Sequence, residues 1–135
     1  MKRDLIRDEG SRLKPYFDTV GKCTIGVGRN LTDKGISSDE QDYLLEHDIA
    51  EVIGDLDTHL NWWQELDEVR QRALANMCFN LGITKLLQFK NLLTAVQNNR
   101  FDDAMAEETR KTPYAHQVGI RAERIIHMFL TGTDP

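Results

Sequence analysis

The sequence predicts an α+β fold with much more helix than strand: a short helix and a β-hairpin at one end, a long connecting helix, and a compact helical bundle. Three observations carry this. Between Tyr16 and Thr32 apolar residues alternate with polar ones, and glycines punctuate the run. From Ser37 onward apolar residues recur at three- and four-residue spacing instead. The 135 residues are 40% hydrophobic and 29% charged, a balance that suits one globular domain able to bury a core. With no repeat, low-complexity run or flexible linker, a single domain over 1–135 is expected, with lobes of about 1–38, 39–60 and 61–135.

Asp4 to Leu13 carries Leu5, Ile6 and Leu13 among charges, which suits a short amphipathic helix with Gly10 near its end. Val20-Gly21-Lys22 then reads as the turn between Tyr16-Phe17 and Cys23-Thr24-Ile25-Gly26-Val27. Gly26 and Gly28 would leave the second strand bare, as expected where a ligand or another backbone comes close. Ser37-Ser38 followed by Asp39-Glu40-Gln41 gives two overlapping capping boxes, Ser37 with Glu40 and Ser38 with Gln41, at the head of the long helix. Its apolar positions are Leu45, Ile49, Val52, Ile53, Leu56 and Leu60, with carboxylates on the other face. Asp67 can cap a central helix whose inner face is Val69, Ala73, Leu74, Met77 and Leu81 and which stops at Gly82. Leu86 to Asn98 and Phe101 to Lys111 read as two more helices, Pro113 interrupts, and Val118 to Leu130 forms the last.

The formal net charge of −5 disfavours a polyanionic partner and argues against nucleic acid. The acid is concentrated, however. Residues 35–68 hold 11 carboxylates and no Lys or Arg, whereas residues 1–34 and 69–135 are each +3. Such a run is ordinarily a solvated helix face, so a dipolar molecule is expected, with positive portions free to approach an anionic polymer such as cell wall. The start lacks the apolar run of a signal peptide and no stretch is long enough to span a membrane, which predicts a cytoplasmic protein without stable membrane insertion. Cys23 and Cys78 lack metal-type spacing and read as packed thiols. His47, His59, His116 and His127 read as structural or exposed, and Trp62-Trp63 as an aromatic plug rather than a sugar platform.

One stretch carries chemistry. It places Glu9 at a helix end, Asp18 in the first half of the hairpin and Thr24 in the second. Two carboxylates on separate elements meet the need of glycoside hydrolysis, in which one protonates the leaving oxygen while the other activates water or attacks the sugar. The three residues taken alone fit equally well a surface carboxylate, a turn-starting Asp and a β-branched strand former. The surroundings are more specific. Glu9-Gly10-x-Arg12-Leu13-x-x-Tyr16-x-Asp18-Thr19-x-Gly21-x-x-Thr24-Ile25-Gly26-x-Gly28 resembles the active-site signature of the T-even phage type of lysozyme, a family of bacteriophage endolysins. Leu66-Asp67-x-Val69-Arg70-x-x-Ala73-x-x-Asn76-Met77-x-Phe79-Asn80-x-Gly82 is similar to that family's buried helix, and Arg121-Ala122-x-Arg124 to Phe129-x-Thr131-Gly132-Thr133 to its last helix.

The resemblance implies a two-lobed lysozyme-like fold and an endolysin that hydrolyses the β-1,4 bond between N-acetylmuramic acid and N-acetylglucosamine in peptidoglycan, with inversion. It implies Glu9 as general acid, Asp18 as the carboxylate that activates water, Thr24 as the residue that positions this water, and Arg121 as a supporting cation that reaches the acid. Gly28, Asn30, Phe79 and Asn80 match substrate-side positions. No metal or other cofactor is implied. The expected setting is a monomer that collects in the host cytoplasm and reaches the peptidoglycan glycan strands after a separate holin opens the membrane. A tail-associated, wall-piercing role would call for fused modules.

The chain departs from the family pattern at several points. Asn30 stands for a leucine, Arg29 for a histidine, Leu92 and Glu108 for a serine and an asparagine, and Ile120 for an asparagine. The connection from Thr32 to Ser38 is some twenty residues short of the best-known member, which predicts a third strand missing or reduced. Two rival readings follow from the same residues. A lytic transglycosylase would use Glu9 alone, and a non-catalytic wall-binding protein would release no product.

Overall fold

Two units organise the chain in the computed structural model, which describes residues 1–135: Met1–Leu45 and Glu46–Pro135. The first opens with helix α1, Lys2–Glu9. Gly10 ends it at φ 79°, its N–H bonded to Ile6 O at 2.9 Å. The chain turns away there, so Leu13, expected in the helix, lies in a strand instead. Strands β1 (Arg12–Phe17), β2 (Cys23–Gly26) and β3 (Arg29–Asn30) form an antiparallel sheet in sequence order. The hairpin thus starts earlier than expected and gains a third strand, reduced to two residues. Gly28 lies in the turn between β2 and β3 rather than within β2.

Tyr16 pairs with Thr24 and Phe17 with Cys23, and the register slips between Arg12 and Tyr16. Pro15 falls in that irregular stretch of an edge strand, where its missing N–H breaks no ladder bond. Beyond β3, Arg29 closes the short connection. It donates to Glu40 Oε1 at 2.8 Å and to Gly35 O at 3.3 Å, at the head of helix α2, Ser38–His59. Of the two capping boxes the first forms. Glu40 N–H donates to Ser37 Oγ at 3.2 Å and Ser37 N–H to Glu40 Oε1 at 2.9 Å. Helix α2 accordingly begins at Ser38, and Ser37 occupies the cap that Ser38 would have needed.

The apolar core belongs to the second unit, from Leu56 to Phe129. It reaches only the last turns of α2: Leu56 and Leu60 are buried and Val52 partly so, while Leu45, Ile49 and Ile53 remain 40–44% exposed. The apolar stripe expected along the whole helix is therefore buried only at its C-terminal end. Asp57 fastens the following 3₁₀ turn, Trp63–Glu65, by accepting from Trp63 Nε1 at 2.8 Å and Gln64 Nε2 at 2.7 Å. Trp63 is buried in this core and Trp62 packs against it.

Helix α3, Glu68–Leu81, is capped by Asp67 through Arg70 N–H and stops at Gly82, φ 80°. Ala73, Leu74, Met77 and Cys78 are its buried face, and burial pushes the Cys78 thiol up to about 11. The helix expected over 86–98 is two: α4, Ile83–Leu86, and α5, Lys90–Gln97. Helix α6, Asp103–Arg110, is capped by Asp102. Pro113 opens helix α7, Pro113–Val118, instead of interrupting the chain, because a first-turn residue needs no N–H partner and Thr112 caps it. Gly119, φ 52°, separates α7 from α8, Ile120–Thr131. Helix α8 packs against α3, α6 and α7. No helix is long and apolar enough to cross a membrane.

Arg70 ties α3 to the end of α8. Its Nε donates to Phe129 O at 2.8 Å and Nη2 to Leu130 O at 3.4 Å, Nη1 reaches Asp67 at 3.1 Å, and the guanidinium lies 3.7 Å over the Phe101 ring. A Cβ at Gly132, φ +68°, would stand 3.1 Å from Nη1, so a side chain there would be strained and would push on the Arg70 guanidinium. Arg70→Ala should therefore destabilise by about 2 kcal/mol, the loss of two bonds to carbonyls, an ion pair and a stacked ring, measured by urea unfolding. A change within error would show that the corner is held by apolar packing alone.

The Arg29 and Ser37 bonds hold the Glu40 carboxyl well below the usual range, at about 2. A carboxylate with a depressed folded value stabilises fully above its unfolded value and loses that contribution as pH falls towards the folded one. Titration of the Glu40 side-chain carbon by NMR should place its midpoint near 2 and, in Arg29→Ala, nearer the ordinary carboxylate range. An ordinary midpoint in the parent protein would mean that the pair does not form in solution.

Candidate active site

Glu9 ends α1, and Gly10 turns the chain immediately after it. Across the unit, the turn between β2 and β3 brings Gly28 against the Glu9 carboxylate. A Cβ on Gly28 would lie 2.8 Å from Glu9 Oε2 and 3.2 Å from Cδ, and Gly28 sits at φ +65°. The positive φ disfavours a side chain here, and a Cβ would also require the end of the exposed Glu9 side chain to shift. Within the N-terminal unit the Glu9 carboxylate has no hydrogen-bond or ion-pair partner, which leaves both oxygens available to a ligand.

Asp18 is held differently. Its Oδ1 accepts from Val20 N–H at 3.0 Å and from Lys22 N–H at 2.8 Å, and its own N–H donates to Lys22 O at 2.9 Å. One carboxylate oxygen is thus fixed by the hairpin turn while Oδ2 has no protein donor. Thr24 lies in the middle strand, between Tyr16 and Asn30, and is 4% exposed. Its hydroxyl donates to Lys22 O at 3.0 Å, so only acceptor capacity remains on Oγ1. Lys22 is the shared anchor: its amide orients Asp18 and its carbonyl orients Thr24. That role is invisible in a residue-type pattern, because only main-chain atoms perform it.

Asn30 also stands in the sheet, but its amide is engaged locally. Nδ2 donates to Asp33 Oδ2 at 2.9 Å and Oδ1 accepts from Asp33 N–H at 3.0 Å, closing the turn after β3. In the second unit, Phe79 and Asn80 lie exposed near the end of α3, and Phe79, at 44%, is no core residue. Arg121, in the first turn of α8, donates from Nε to Asn76 Oδ1 at 2.9 Å and from Nη2 to Asn76 O at 3.4 Å. Asn76 is thus a positioning residue that sequence reasoning passed over, although it stands within the quoted α3 block one turn before Phe79 and Asn80.

Comparison with known proteins identifies the family of the chain. The phage lysozyme family profile matches residues 7–123. The pre-baseplate central spike protein Gp5 of Enterobacteria phage T4 is 32% identical over 160 aligned positions, which take in 98% of this chain but 28% of the spike protein. Probable T4-type lysozyme 2 of Dictyostelium discoideum is 30% identical, over 97% of this chain and 94% of its own length. An endolysin of Acyrthosiphon pisum secondary endosymbiont phage 1 is 32% identical over 75% of this chain and 69% of its own. The aligned spans of 160 and 161 positions exceed the 135 residues here, so the first two relatives carry additional residues inside the match.

The Gly28 contact supplies a direct test. Gly28→Ala should displace the Glu9 carboxyl and lower turnover about a hundredfold, as misplacement of a reacting group by about 1 Å does. The strained φ should lower stability by about 1–2 kcal/mol. Wall-clearing rate and thermal unfolding are measured together, and an active Ala variant would show that Glu9 does not rest against this turn.

Proposed function

Since the chain belongs to the phage lysozyme family and is a lysozyme-type enzyme, we propose that it hydrolyses the β-1,4 bond between N-acetylmuramic acid and N-acetylglucosamine in peptidoglycan. The observation that carries this reading is the contrast between the two carboxylates: Glu9 unbonded within its unit and pressed against a glycine, Asp18 pinned through one oxygen. Glu9 protonates the leaving glycosidic oxygen. A water accepted by Asp18 Oδ2 and Thr24 Oγ1 through its two hydrogens keeps a lone pair for the anomeric carbon. As the new C–O bond forms and the glycosidic bond breaks, the water's proton passes to Asp18 and the configuration inverts. No covalent sugar-enzyme bond enters the scheme.

The accessible Phe79 and Asn80, together with Gly28, are the substrate-side residues of this reading, and Arg121, fixed on Asn76, is its supporting cation. In the proposed setting the protein accumulates in the host cytoplasm and meets the wall after a holin opens the membrane. The 32% identity to a phage spike protein favours a second setting, in which the same chemistry opens the wall from a particle.

Glu9→Gln should abolish turnover while the melting temperature is retained, and Asp18→Asn should lower kcat by at least about a thousandfold. Mass spectrometry of the muropeptides decides the reaction type. Hydrated, reducing-end products are expected, and NMR of the reaction before mutarotation should show the inverted anomer first. Anhydro products would establish the transglycosylase, and glycan binding without any product would establish the wall-binding protein.

A further inference from the structure

Strand β1 departs from regular pairing at one place, and the departure lies beside Thr24. Tyr16 stands opposite Thr24 and Arg12 opposite Gly26, so Leu13, Lys14 and Pro15 face Ile25 alone. A bulge of this kind lets two residues four apart take positions that a regular strand gives to residues two apart. Residues directly across an antiparallel pair share a face, so Arg12, Tyr16, Thr24 and Asn30 lie on one side of the sheet. There the Arg12 guanidinium sits 4.3 Å over the Tyr16 ring. Arg7 and Arg29, in the same unit, are each paired with a carboxylate. Arg12 has no ion pair or hydrogen bond within the unit, and the ring is its partner.

Thr24 is only 4% exposed, although its unit has no apolar core to cover it. Its two cross-strand neighbours are each braced by a further residue: Asn30 by its two bonds with Asp33, and Tyr16 by Arg12. Tyr16 is half-buried and its hydroxyl makes no hydrogen bond within the unit, so the arrangement uses the ring and not its polar tip. We propose that Tyr16, braced by Arg12, is a positioning residue: its ring shields Thr24 and holds that side chain in the one rotamer that turns Oγ1 to the attacking water. The proposal rests on the peptidoglycan reading above and adds the residues that keep Thr24 in place. A threonine side chain has three staggered wells, and its bond to Lys22 O selects one only weakly where bulk water competes for the hydroxyl. The ring removes that competition. Neither Tyr16 nor Arg12 touches the reacting atoms in this scheme, so their effect falls on kcat and not on substrate binding.

The experiment uses the full chain and measures two things: the Thr24 rotamer, from NMR three-bond couplings to its γ-carbon, and the rate of wall hydrolysis. The parent should show a single Thr24 rotamer. Tyr16→Leu should show averaged couplings and a kcat lowered at least about tenfold, with KM within about twofold of the parent, as expected when a positioned group is loosened. Tyr16→Phe keeps the ring and should restore both the couplings and kcat. Should Tyr16→Leu fail to fold, Arg12→Gln carries the test, because Arg12 is exposed. It should shift the couplings in the same direction and lower kcat about threefold, with thermal unfolding unchanged. A single Thr24 rotamer in the folded variant that carries the test, a rise in KM in place of the fall in kcat, or lost activity in Tyr16→Phe would each overturn the proposal. The couplings are read whether or not wall is cleaved. An inactive parent, which would sink the lysozyme reading, is thereby told apart from an active one in which Tyr16 does not position Thr24.

Discussion

The middle strand of the sheet is the constraint on which the N-terminal unit depends. Thr24 is the one buried residue among the first 45, and it is paired on both sides, with Tyr16 and with Asn30. A segment of this size without an apolar core must take its shape from main-chain bonds and a few polar side chains. The structure shows which: the sheet ladder, the two hydrogen bonds accepted by Asp18 Oδ1, and the Arg29–Glu40 pair. Asp18 and Thr24 both organise this unit and belong to the proposed catalytic set, so stability and activity should be hard to separate at these two positions, though not at Glu9.

The second unit is held by different forces. Its core runs from Leu56 to Phe129 and buries large apolar side chains, among them Leu74, Met77, Phe129 and Tyr114. Burial of such side chains contributes on the order of 2 kcal/mol each, non-directionally, so many substitutions of similar volume would be tolerated. Arg70 is the exception, because it joins α3 to two carbonyls of α8 by bonds that require one geometry. On this rigid frame sit the surface residues whose chemistry is free to vary: Phe79 and Asn80 at the end of α3, and Arg121 on Asn76.

The shortened N-terminal unit gives the departures from the family pattern a physical account. A two-residue β3 offers little ladder to anchor the chain before α2. Arg29, which stands where a histidine is common in the family, spans that gap by reaching Glu40 and Gly35 O. A guanidinium remains charged throughout the working pH range and presents several donors, whereas an imidazole would lose its charge near neutrality. For Ile120, 70% exposed beside Arg121, the structure offers no such explanation.

The helices were legible wherever a local rule sufficed. Asp67, Ser37 with Glu40, and Gly82 mark helix ends by chemistry that acts over four residues, and the inner face of α3 follows from periodicity. Glu9, Asp18 and Thr24 were legible as candidates because the residues around them resemble the active-site signature of phage lysozymes, whereas their spacing alone fits ordinary surface, turn and strand residues. The sequence by itself determined the residue types, the α+β class and most helix boundaries. Only the tertiary structure decided that the apolar stripe of α2 is buried at one end, since burial depends on where a core stops rather than on period. It also decided that Gly28 lies at a positive φ against the Glu9 carboxylate, and that Lys22 and Asn76 orient other residues. Lys22 acts through main-chain atoms, which leave no mark in side-chain identity, and Asn76 through a contact with Arg121, far along the chain, that no local rule reveals.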